Sequence, residues 1–96
     1  MDQNEDREIH LLSEFFKVMG DPTRLRIINF LYSQELCVCD LAEKMQMNQP
    51  AISQQLKILR QANLIKYRRE GRHLYYSLSD QHVMQIFDQG MIHIKE

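Results

Sequence analysis

The sequence has few cysteines and no long apolar run, and both absences limit the class of protein. No stretch approaches the ~20 apolar residues of a membrane-spanning helix, and no secretory signal peptide is present. We therefore expect a cytosolic protein with no membrane partner. The only cysteines among the 96 residues are Cys37 and Cys39, which we expect to be reduced thiols in that compartment. A disulfide between residues two positions apart would also be strained.

The chain also lacks internal repeats, low-complexity tracts and linkers. We therefore expect residues 1–96 to form a single domain, with residues 1–8 as a flexible N-terminal arm. A domain this short buries a modest fraction of its surface and gains from oligomerising. The net charge is −1, but six of the twelve basic residues lie between Lys57 and Arg72, where Glu70 is the one acid. This basic segment indicates a surface for a polyanion, the alternative being a solvated hairpin.

Start and stop signals divide the first two thirds of the chain into four helices. The first ends at Gly20, where we expect a left-handed cap. Its apolar residues form two stripes, so it must be covered on two sides, and a second subunit is one candidate cover. Asp21 and Pro22 favour the start of a second helix. Cys37 begins a short third helix and Asn48 begins a fourth.

The fourth helix, QPAISQQLKILRQAN, has an outer face without carboxylates. Its apolar residues share one arc of the helical wheel, with Gln55 as the one misfit. An ordinary solvated face carries both charge signs, whereas amides, hydroxyls and cations meet base edges and phosphates. The residues that we predict to contact DNA are Gln49, Ser53, Gln54, Lys57 and Arg60.

The segment LIKYRREGRHLYYSL alternates and is rich in β-formers, so it predicts a hairpin that turns at Glu70-Gly71. Its basic residues, expected to contact phosphates, are Arg68, Arg69 and Arg72. Ser79 is then predicted to cap a last helix. The predicted fold is mainly α with a β-hairpin. The order of its elements predicts a winged helix-turn-helix, in which the second helix of the motif, the fourth of the chain, enters the major groove.

The last helix carries two acids and two histidines. His82 and His93 share one stripe but lie about 16 Å apart along the axis, so one chain cannot close four ligands on one ion. Two antiparallel copies can, because Asp80 and His82 then meet the end of the partner helix, at two symmetric sites. That end carries His93 and Glu96. Two imidazoles and two carboxylates suit tetrahedral zinc, or cobalt. The alternative is that Asp80 only favours the helix start, that His82 is a surface residue and that Glu96 is the frayed last residue.

Three stretches resemble the ArsR/SmtB family of metal-responsive repressors. ELCVCDLAEKM and NQPAISQQLKILRQANLIKYRREGRHLYYSL are similar to its helix-turn-helix and wing, and FKVMGDPTRLRIINFL to its second helix. The ending Asp-x-His, ten residues, His-x-x-Glu resembles the last-helix site of zinc-sensing members. The resemblance implies a cytosolic homodimer that binds a palindromic double-stranded operator without metal and releases it with zinc, derepressing efflux or detoxification genes. It implies that the regulatory ligands are Asp80, His82, His93 and Glu96. It also implies that the carbonyl of Asn63 accepts a hydrogen bond from His93.

The stretch ELCVCDL resembles the metal box of cadmium-, lead- and arsenic-sensing members, whose ions prefer soft thiolates. Cys37, Cys39 and Asp40, with His10 of the other chain, offer a second metal or thiol site. Ala42 stands where one type of arsenic sensor has a third cysteine, and the N-terminal arm has none. The alternative function is therefore a thiol-based sensor of cadmium, lead or arsenite. The alternative for the cysteines is a helix cap and a small apolar residue.

Two other classes of protein fit the sequence less well. A hydrolytic zinc enzyme keeps one coordination position open for water, whereas here the protein supplies all four. A metal buffer or interaction module has no use for the carboxylate-free outer face of the fourth helix. We therefore expect neither enzymatic activity nor an organic substrate.

Overall fold

Five helices and three short strands lie along residues 2–96, the part of the chain that the computed structural model describes. The elements are α1 (Gln3–Met19), α2 (Pro22–Leu31), β1 (Leu36–Cys37), α3 (Val38–Met45), α4 (Gln49–Gln61), β2 (Ile65–Glu70), β3 (His73–Leu78) and α5 (Gln81–Lys95). This order confirms the predicted helix-turn-helix of α3 and α4, followed by a hairpin wing and a last helix.

Both ends of α1 differ from the sequence prediction. Asp2 accepts a hydrogen bond of 2.8 Å from the N–H of Glu5, and acids in the first turn favour the helix dipole. Residues 3–8 are therefore helical, and the flexibility of this N-terminal segment stays a prediction. Gly20 has φ −77° rather than a left-handed conformation. A Cβ atom at this position would lie 3.0 Å from the carbonyl oxygen of Phe16. Glycine is therefore favoured here because the backbone leaves too little room for a side chain.

The predicted starts of α2 and α4 are confirmed by their caps. Asp21 accepts a hydrogen bond of 3.1 Å from the N–H of Arg24. Asn48 accepts one of 2.8 Å from the N–H of Ala51. Each cap satisfies one of the N–H groups that a helix start leaves without a partner. Cys37 occupies the corresponding position before α3, but its side chain makes no capping hydrogen bond.

The start of α5 is capped by Asp80, so the prediction of Ser79 was wrong. The carboxylate of Asp80 accepts a hydrogen bond of 3.1 Å from the N–H of Val83. Ser79 is held one residue earlier by other partners. Its hydroxyl donates to the carbonyl of Asn63 at 2.8 Å, and its N–H donates to the carbonyl of Leu64 at 3.0 Å. The start of α5 is thereby tied to the segment that follows α4.

The hairpin turn lies one residue later than predicted. Glu70 still pairs with His73, so the turn consists of Gly71 and Arg72 rather than Glu70 and Gly71. Gly71 has φ +62°, a left-handed conformation that glycine adopts without a steric penalty. The hairpin therefore keeps six residues in each strand.

The short strand β1 was not predicted, and it makes β3 the central strand of a three-stranded antiparallel sheet. Leu36 pairs with Tyr76, and Cys37 pairs with Tyr75. A two-residue strand leaves almost no pattern in a sequence. Its consequence is that the first residues of the helix-turn-helix lie against the wing.

One hydrophobic core joins α1 to α5 through the inner face of α4. Its fully buried large side chains are Ile27, Ile28, Leu41, Ile52, Leu56, Leu59 and Leu64. Each contributes about 1.5–3 kcal/mol relative to an exposed position. The apparent misfit Gln55 is half-buried and accepts a hydrogen bond of 3.3 Å from Arg24. The packing of this inner face leaves the opposite face of α4 in solvent.

α1 and α5 leave a large apolar surface exposed, and a groove of about 410 Å³ lies between them. The exposed side chains are Ile9, Leu11, Leu12, Phe16, Ile86, Met91, Ile92 and Ile94. Only the last turn of α1, with Phe15, Val18 and Met19, packs against the core. Within residues 2–96, no helix has the length and apolar content to cross a bilayer. An exposed apolar surface of this size indicates a site of interaction with another molecule.

Candidate functional site

The outer face of α4 is open to solvent, as predicted. The turn before α4 is tight, because Gln46 adopts a left-handed conformation with φ +54° and the N–H of Met47 donates to the carbonyl of Ala42 at 3.0 Å. α3 packs against α4 and fixes its direction. The exposed residues of this face are Gln49, Ser53, Gln54, Lys57 and Arg60. This face can meet base edges and phosphates without a carboxylate to repel them.

The three arginines of the wing differ in their surroundings. The guanidinium of Arg68 lies 2.9 Å from the carboxylate of Glu35 and 2.8 Å from that of Glu70. The hydrogen bonds that the guanidinium donates to the carboxylates of Glu70 and Glu35 raise the pKa of Arg68. Arg69 and Arg72 are exposed, and neither forms an ion pair within residues 2–96. Arg69 and Arg72 are therefore available to bind phosphates, whereas Arg68 would first have to break its ion pairs with Glu35 and Glu70.

A cation–π contact joins the last turn of α4 to the wing. The guanidinium carbon of Arg60 lies 5.0 Å from the ring centroid of Tyr67. The Tyr67 ring in turn packs 5.7 Å from that of Tyr76 on the neighbouring strand. Burial raises the pKa of the Tyr76 hydroxyl, so it stays neutral. These contacts fix the orientation of the wing relative to α4. A DNA-binding surface made of both elements requires such a fixed orientation.

The first half of the predicted zinc site is brought together at the start of α5. Asp80 has an extended backbone, with φ −163°, and its carboxylate lies 3.5 Å from Nδ1 of His82. On a regular helix these side chains would diverge, but Asp80 lies just before the first turn. The hydrogen bond from the Val83 N–H lowers the pKa of Asp80, which keeps the carboxylate charged. A carboxylate accepts several bonds, so this cap leaves it able to bind a cation.

The second half of the predicted site lies at the other end of α5. His93 is in the last turn and Glu96 directly follows the helix, and both are exposed. His93 is about 16 Å from His82 along the helix axis, so a single chain does not assemble all four ligands. Each chain instead presents two pairs of zinc-type donors at opposite ends of one helix.

Asn63, the predicted hydrogen-bond acceptor for His93, adopts a left-handed conformation just after α4, with φ +61°. Its carbonyl already accepts the hydrogen bond from Ser79, and a carbonyl oxygen has a second lone pair. Ser79 lies at the start of α5, so His93 of the same chain is about 20 Å further along the helix. The carbonyl of Asn63 is therefore close to the Asp80 end of the site rather than to its own His93.

The two cysteines converge with a histidine that sequence reasoning missed. The ligand atoms of Cys37, Cys39 and His73 all lie within 4.8 Å of one another. Within residues 2–96, neither Asp40 nor His10 belongs to such a cluster. His10 is exposed on α1, 4.0 Å from Glu14. The sequence offered no signal for His73, because its position depends on the unpredicted pairing of β1 with β3.

The two thiols of this cluster have different environments. Cys37 is buried, and burial raises the pKa of its thiol, with the charge of Asp40 acting in the same direction. Cys39 is exposed in the first turn of α3. Its sulfur accepts a hydrogen bond of 3.7 Å from the side-chain amide of Gln49. The exposed thiol therefore contacts the first residue of the candidate DNA-reading helix.

Comparison with known proteins identifies the family. Residues 21–67 match the family described as "Bacterial regulatory protein, arsR family". The chain is 51% identical over 85 residues to the transcriptional repressor SmtB homolog of Synechocystis sp.. The aligned region covers 88% of this chain and 64% of that protein. It is 37% identical over 86 residues to the cadmium resistance transcriptional regulatory protein CadC homolog of Staphylococcus aureus, with coverages of 88% and 71%. The chain belongs to the ArsR family.

This ArsR-family chain also matches a solved fold over its whole length. The homodimeric winged helix-turn-helix DNA-binding domain of a Mycobacterium bovis protein aligns with a TM-score of 0.93, covering 100% of this chain and 89% of that one at 24% identity. That likeness confirms the winged helix-turn-helix. The matched relatives are regulators rather than enzymes, so the hydrolytic alternative is set aside. The family match ends at residue 67, before the candidate zinc ligands of α5.

Proposed function

We propose that this chain is a metal-responsive transcriptional repressor, whose metal-free homodimer binds a palindromic operator and releases it when zinc binds at α5. The observation that carries the DNA-binding part is the exposed, carboxylate-free face of α4 beside the wing arginines Arg69 and Arg72. Helix and wing are held together by the contact of Arg60 with Tyr67. The two curated relatives, a transcriptional repressor and a cadmium resistance regulator, support the same function.

The apolar surface of α1 and α5 supports the homodimer. A second copy of this chain would cover the exposed side chains of both helices and fill the groove between them. Gly90, in the middle of the α5 surface, has no heavy atom within 4 Å of an added Cβ, which leaves room for the close approach of a partner helix. The structural relative from Mycobacterium bovis is itself homodimeric. A dimer also doubles the DNA surface, as a palindrome requires.

The donor set at α5 supports zinc as the signal. Asp80 and His82 already lie 3.5 Å apart at one end of the helix, and in an antiparallel dimer they would meet the partner's His93 and the partner's Glu96. Two imidazoles and two carboxylates suit tetrahedral zinc, and cobalt or cadmium can occupy the same donors. Because the ligands are neutral imidazoles, binding weakens as the pH falls.

The contact of Ser79 with Asn63 supports a route from metal to DNA. It holds the carbonyl of Asn63 beside the Asp80 end of the site, where the partner's His93 would arrive. A metal-bound histidine normally donates its other ring N–H to such an acceptor. Asn63 lies two residues beyond the end of α4, so the donated bond would act on the DNA-reading helix. Zinc would then bind more tightly to the dimer geometry in which the two α4 helices do not fit successive major grooves. This difference in zinc affinity between the two geometries is what releases the DNA.

The test uses an operator selected from random DNA by the metal-free protein. Its affinity is measured by fluorescence anisotropy with a chelator and during a zinc titration, for the wild type, His93→Gln and His10→Gln. We expect zinc to weaken operator binding of the wild type and the His10→Gln control by about 5–150-fold, the usual range of such coupling. His93→Gln should bind DNA normally and ignore zinc. Release of His93→Gln at the same zinc concentration would contradict the proposal.

A second candidate function is a thiol-based sensor of cadmium, lead or arsenite. The convergence of Cys37 and Cys39 at the start of the helix-turn-helix favours it. Asp40 and the partner's His10 were the further ligands proposed for this site from the sequence. The same titration, repeated with cadmium and arsenite on wild type and Cys39→Ser, separates the two functions. Release by zinc alone, unaffected by Cys39→Ser, would exclude the thiol-based sensor.

A further inference from the structure

A polar link runs from α1 through α2 to the inner face of α4, and its centre is the side chain of Arg24. Nε of Arg24 donates a hydrogen bond of 2.7 Å to the carbonyl of Val18, near the end of α1. Nη1 of Arg24 donates one of 3.3 Å to the side-chain oxygen of Gln55 on α4. The backbone of Arg24 is itself held, because its N–H donates to the carboxylate of Asp21. One side chain of α2 therefore binds two other helices at defined points.

The two acceptors of this link have a particular need for it. The carbonyl of Val18 lies four residues before Pro22, which has no N–H to continue the hydrogen bonding of a helix. The side chain of Gln55 lies on the inner face of α4, among buried apolar residues. Within residues 2–96, its one hydrogen bond is the bond from Arg24. Gln55 therefore interrupts an apolar face at the point where that face meets a donor from α2.

The link connects the two surfaces on which a dimeric repressor depends. α1 carries part of the exposed apolar surface that a second copy would cover, and α4 carries the face that would read DNA. α2 contacts both of these helices. A dimer binds a palindrome when its two reading helices fit successive major grooves, about one turn of DNA apart. The orientation of α4 relative to α1 therefore decides which separation of half-sites the dimer fits.

We propose that Arg24 and Gln55 are positioning residues, which fix α4 on the dimer and so determine the half-site spacing that the repressor accepts. The inference rests on the operator binding by a homodimer proposed above. Apolar contacts are not directional, so the packing of α2 on α4 permits small rotations. A hydrogen-bonded polar pair among apolar contacts selects one arrangement, as a single buried polar residue selects the register of a coiled coil.

The first test compares the selected operator with a copy that has one additional base pair between its half-sites. That base pair moves the half-sites apart by about 3.4 Å and turns them by about 35°. Fluorescence anisotropy gives the ratio of the two affinities. Wild-type protein should bind the operator more tightly than the copy. Gln55→Leu should lower this ratio about fivefold or more, the lower end of the usual coupling between sites, because α4 can then adapt to either spacing.

Two variants of α4 separate positioning from stability. Gln55→Leu adds an apolar side chain to the inner face, so its melting temperature should be unchanged or higher. Gln55→Glu restores an acceptor for Arg24 and should keep the wild-type ratio. Gln61→Leu is the same change at an exposed residue of α4 and should also keep it. The inference is overturned if Gln55→Leu keeps the ratio, or if either control lowers it as much. Equal binding of both DNAs by the wild type would overturn it as well.

The second test needs no DNA and is therefore independent of operator binding. A spin label on Gln61→Cys reports the distance between the two α4 helices of a dimer by pulsed electron resonance. The background is Cys39→Ser, in which the remaining cysteine, Cys37, is buried. The distance distribution should be narrow with Gln55 or Gln55→Glu and clearly broader with Gln55→Leu.

The two tests distinguish this inference from the proposed function. The same distance distribution for Gln55→Leu and its parent would overturn the inference, even if the protein binds its operator as proposed. A wild type that binds neither DNA would contradict the proposed function, while a broader distribution for Gln55→Leu alone would still support the positioning of α4 by Arg24 and Gln55.

Discussion

The hydroxyl of Ser79 donates a 2.8 Å hydrogen bond to the carbonyl of Asn63. This bond joins the start of α5, where two candidate zinc ligands lie, to Asn63, two residues beyond the end of the candidate DNA-reading helix α4. It is the one side-chain hydrogen bond within residues 2–96 that connects these two regions. We infer that it transmits the state of α5 to α4.

Ser79→Ala tests that inference. Removal of the hydroxyl should destabilise the fold by about 0.5–1.5 kcal/mol, the usual net value of a hydrogen bond. Zinc affinity and metal-free operator affinity should be retained, while the zinc-induced loss of operator affinity becomes smaller. Ser77→Ala is the matched control, since Ser77 makes no side-chain hydrogen bond within the described chain. Undiminished zinc release by Ser79→Ala would show that the signal takes another path.

Gln49→Ala should weaken binding to the selected operator by about 1–3 kcal/mol and have little effect on random DNA. Gln49 lies at the N-terminus of α4, the end of a recognition helix that leads into the major groove. Gln61→Ala, at the opposite end of the helix, is the control and should change neither affinity. Anisotropy titrations on both DNAs measure the difference. An equal loss on operator and random DNA would assign Gln49 to backbone contacts instead.

The wing arginines should separate into two classes. Arg69→Ala should weaken binding to all DNA and lower the slope of log affinity against log salt concentration by about one, because we expect Arg69 to contact a phosphate. Arg68→Ala should have the smaller effect, since its guanidinium is held by Glu35 and Glu70. DNA affinity measured at several salt concentrations for both variants distinguishes the two classes. A larger change of slope for Arg68→Ala would mean that DNA breaks those ion pairs.

The dimer should exist without metal, because the exposed apolar surface of α1 and α5 does not depend on the zinc ligands. Leu12→Asp places a carboxylate in that surface and should yield monomers. Ser13→Asp adds the same charge to α1 outside both apolar stripes and should remain dimeric. Sedimentation of chelated protein at micromolar concentration measures both. A chelated wild-type monomer would mean that metal drives the assembly.

The sequence predicted those features that depend on near neighbours. Asp21 and Asn48 were identified as caps because a cap involves residues only three apart. The last-helix ligands were chosen from helical spacing, and their assembly between chains stays a prediction. Ser79 and Asp80 are both good caps, so only the bond of Ser79 to Asn63 decides between them. The contribution of His73 could not be predicted, because it depends on the pairing of β1 with β3 across a long stretch of chain.

The proposed release of DNA by zinc bound between two chains at α5 can be tested with a mixed dimer. One chain carries Asp80→Asn and His82→Gln, and the other carries His93→Gln and Glu96→Gln. Neither homodimer keeps an intact site, whereas the mixed dimer keeps one and loses the other completely.

The measurement is zinc stoichiometry and operator release before and after the two variants are mixed. A Cys39→Ser background removes the thiols from the count. We expect no tight zinc binding by either homodimer, and one bound zinc ion with restored operator release for the mixed dimer. Tight zinc binding by either homodimer alone, or no recovery on mixing, would contradict it.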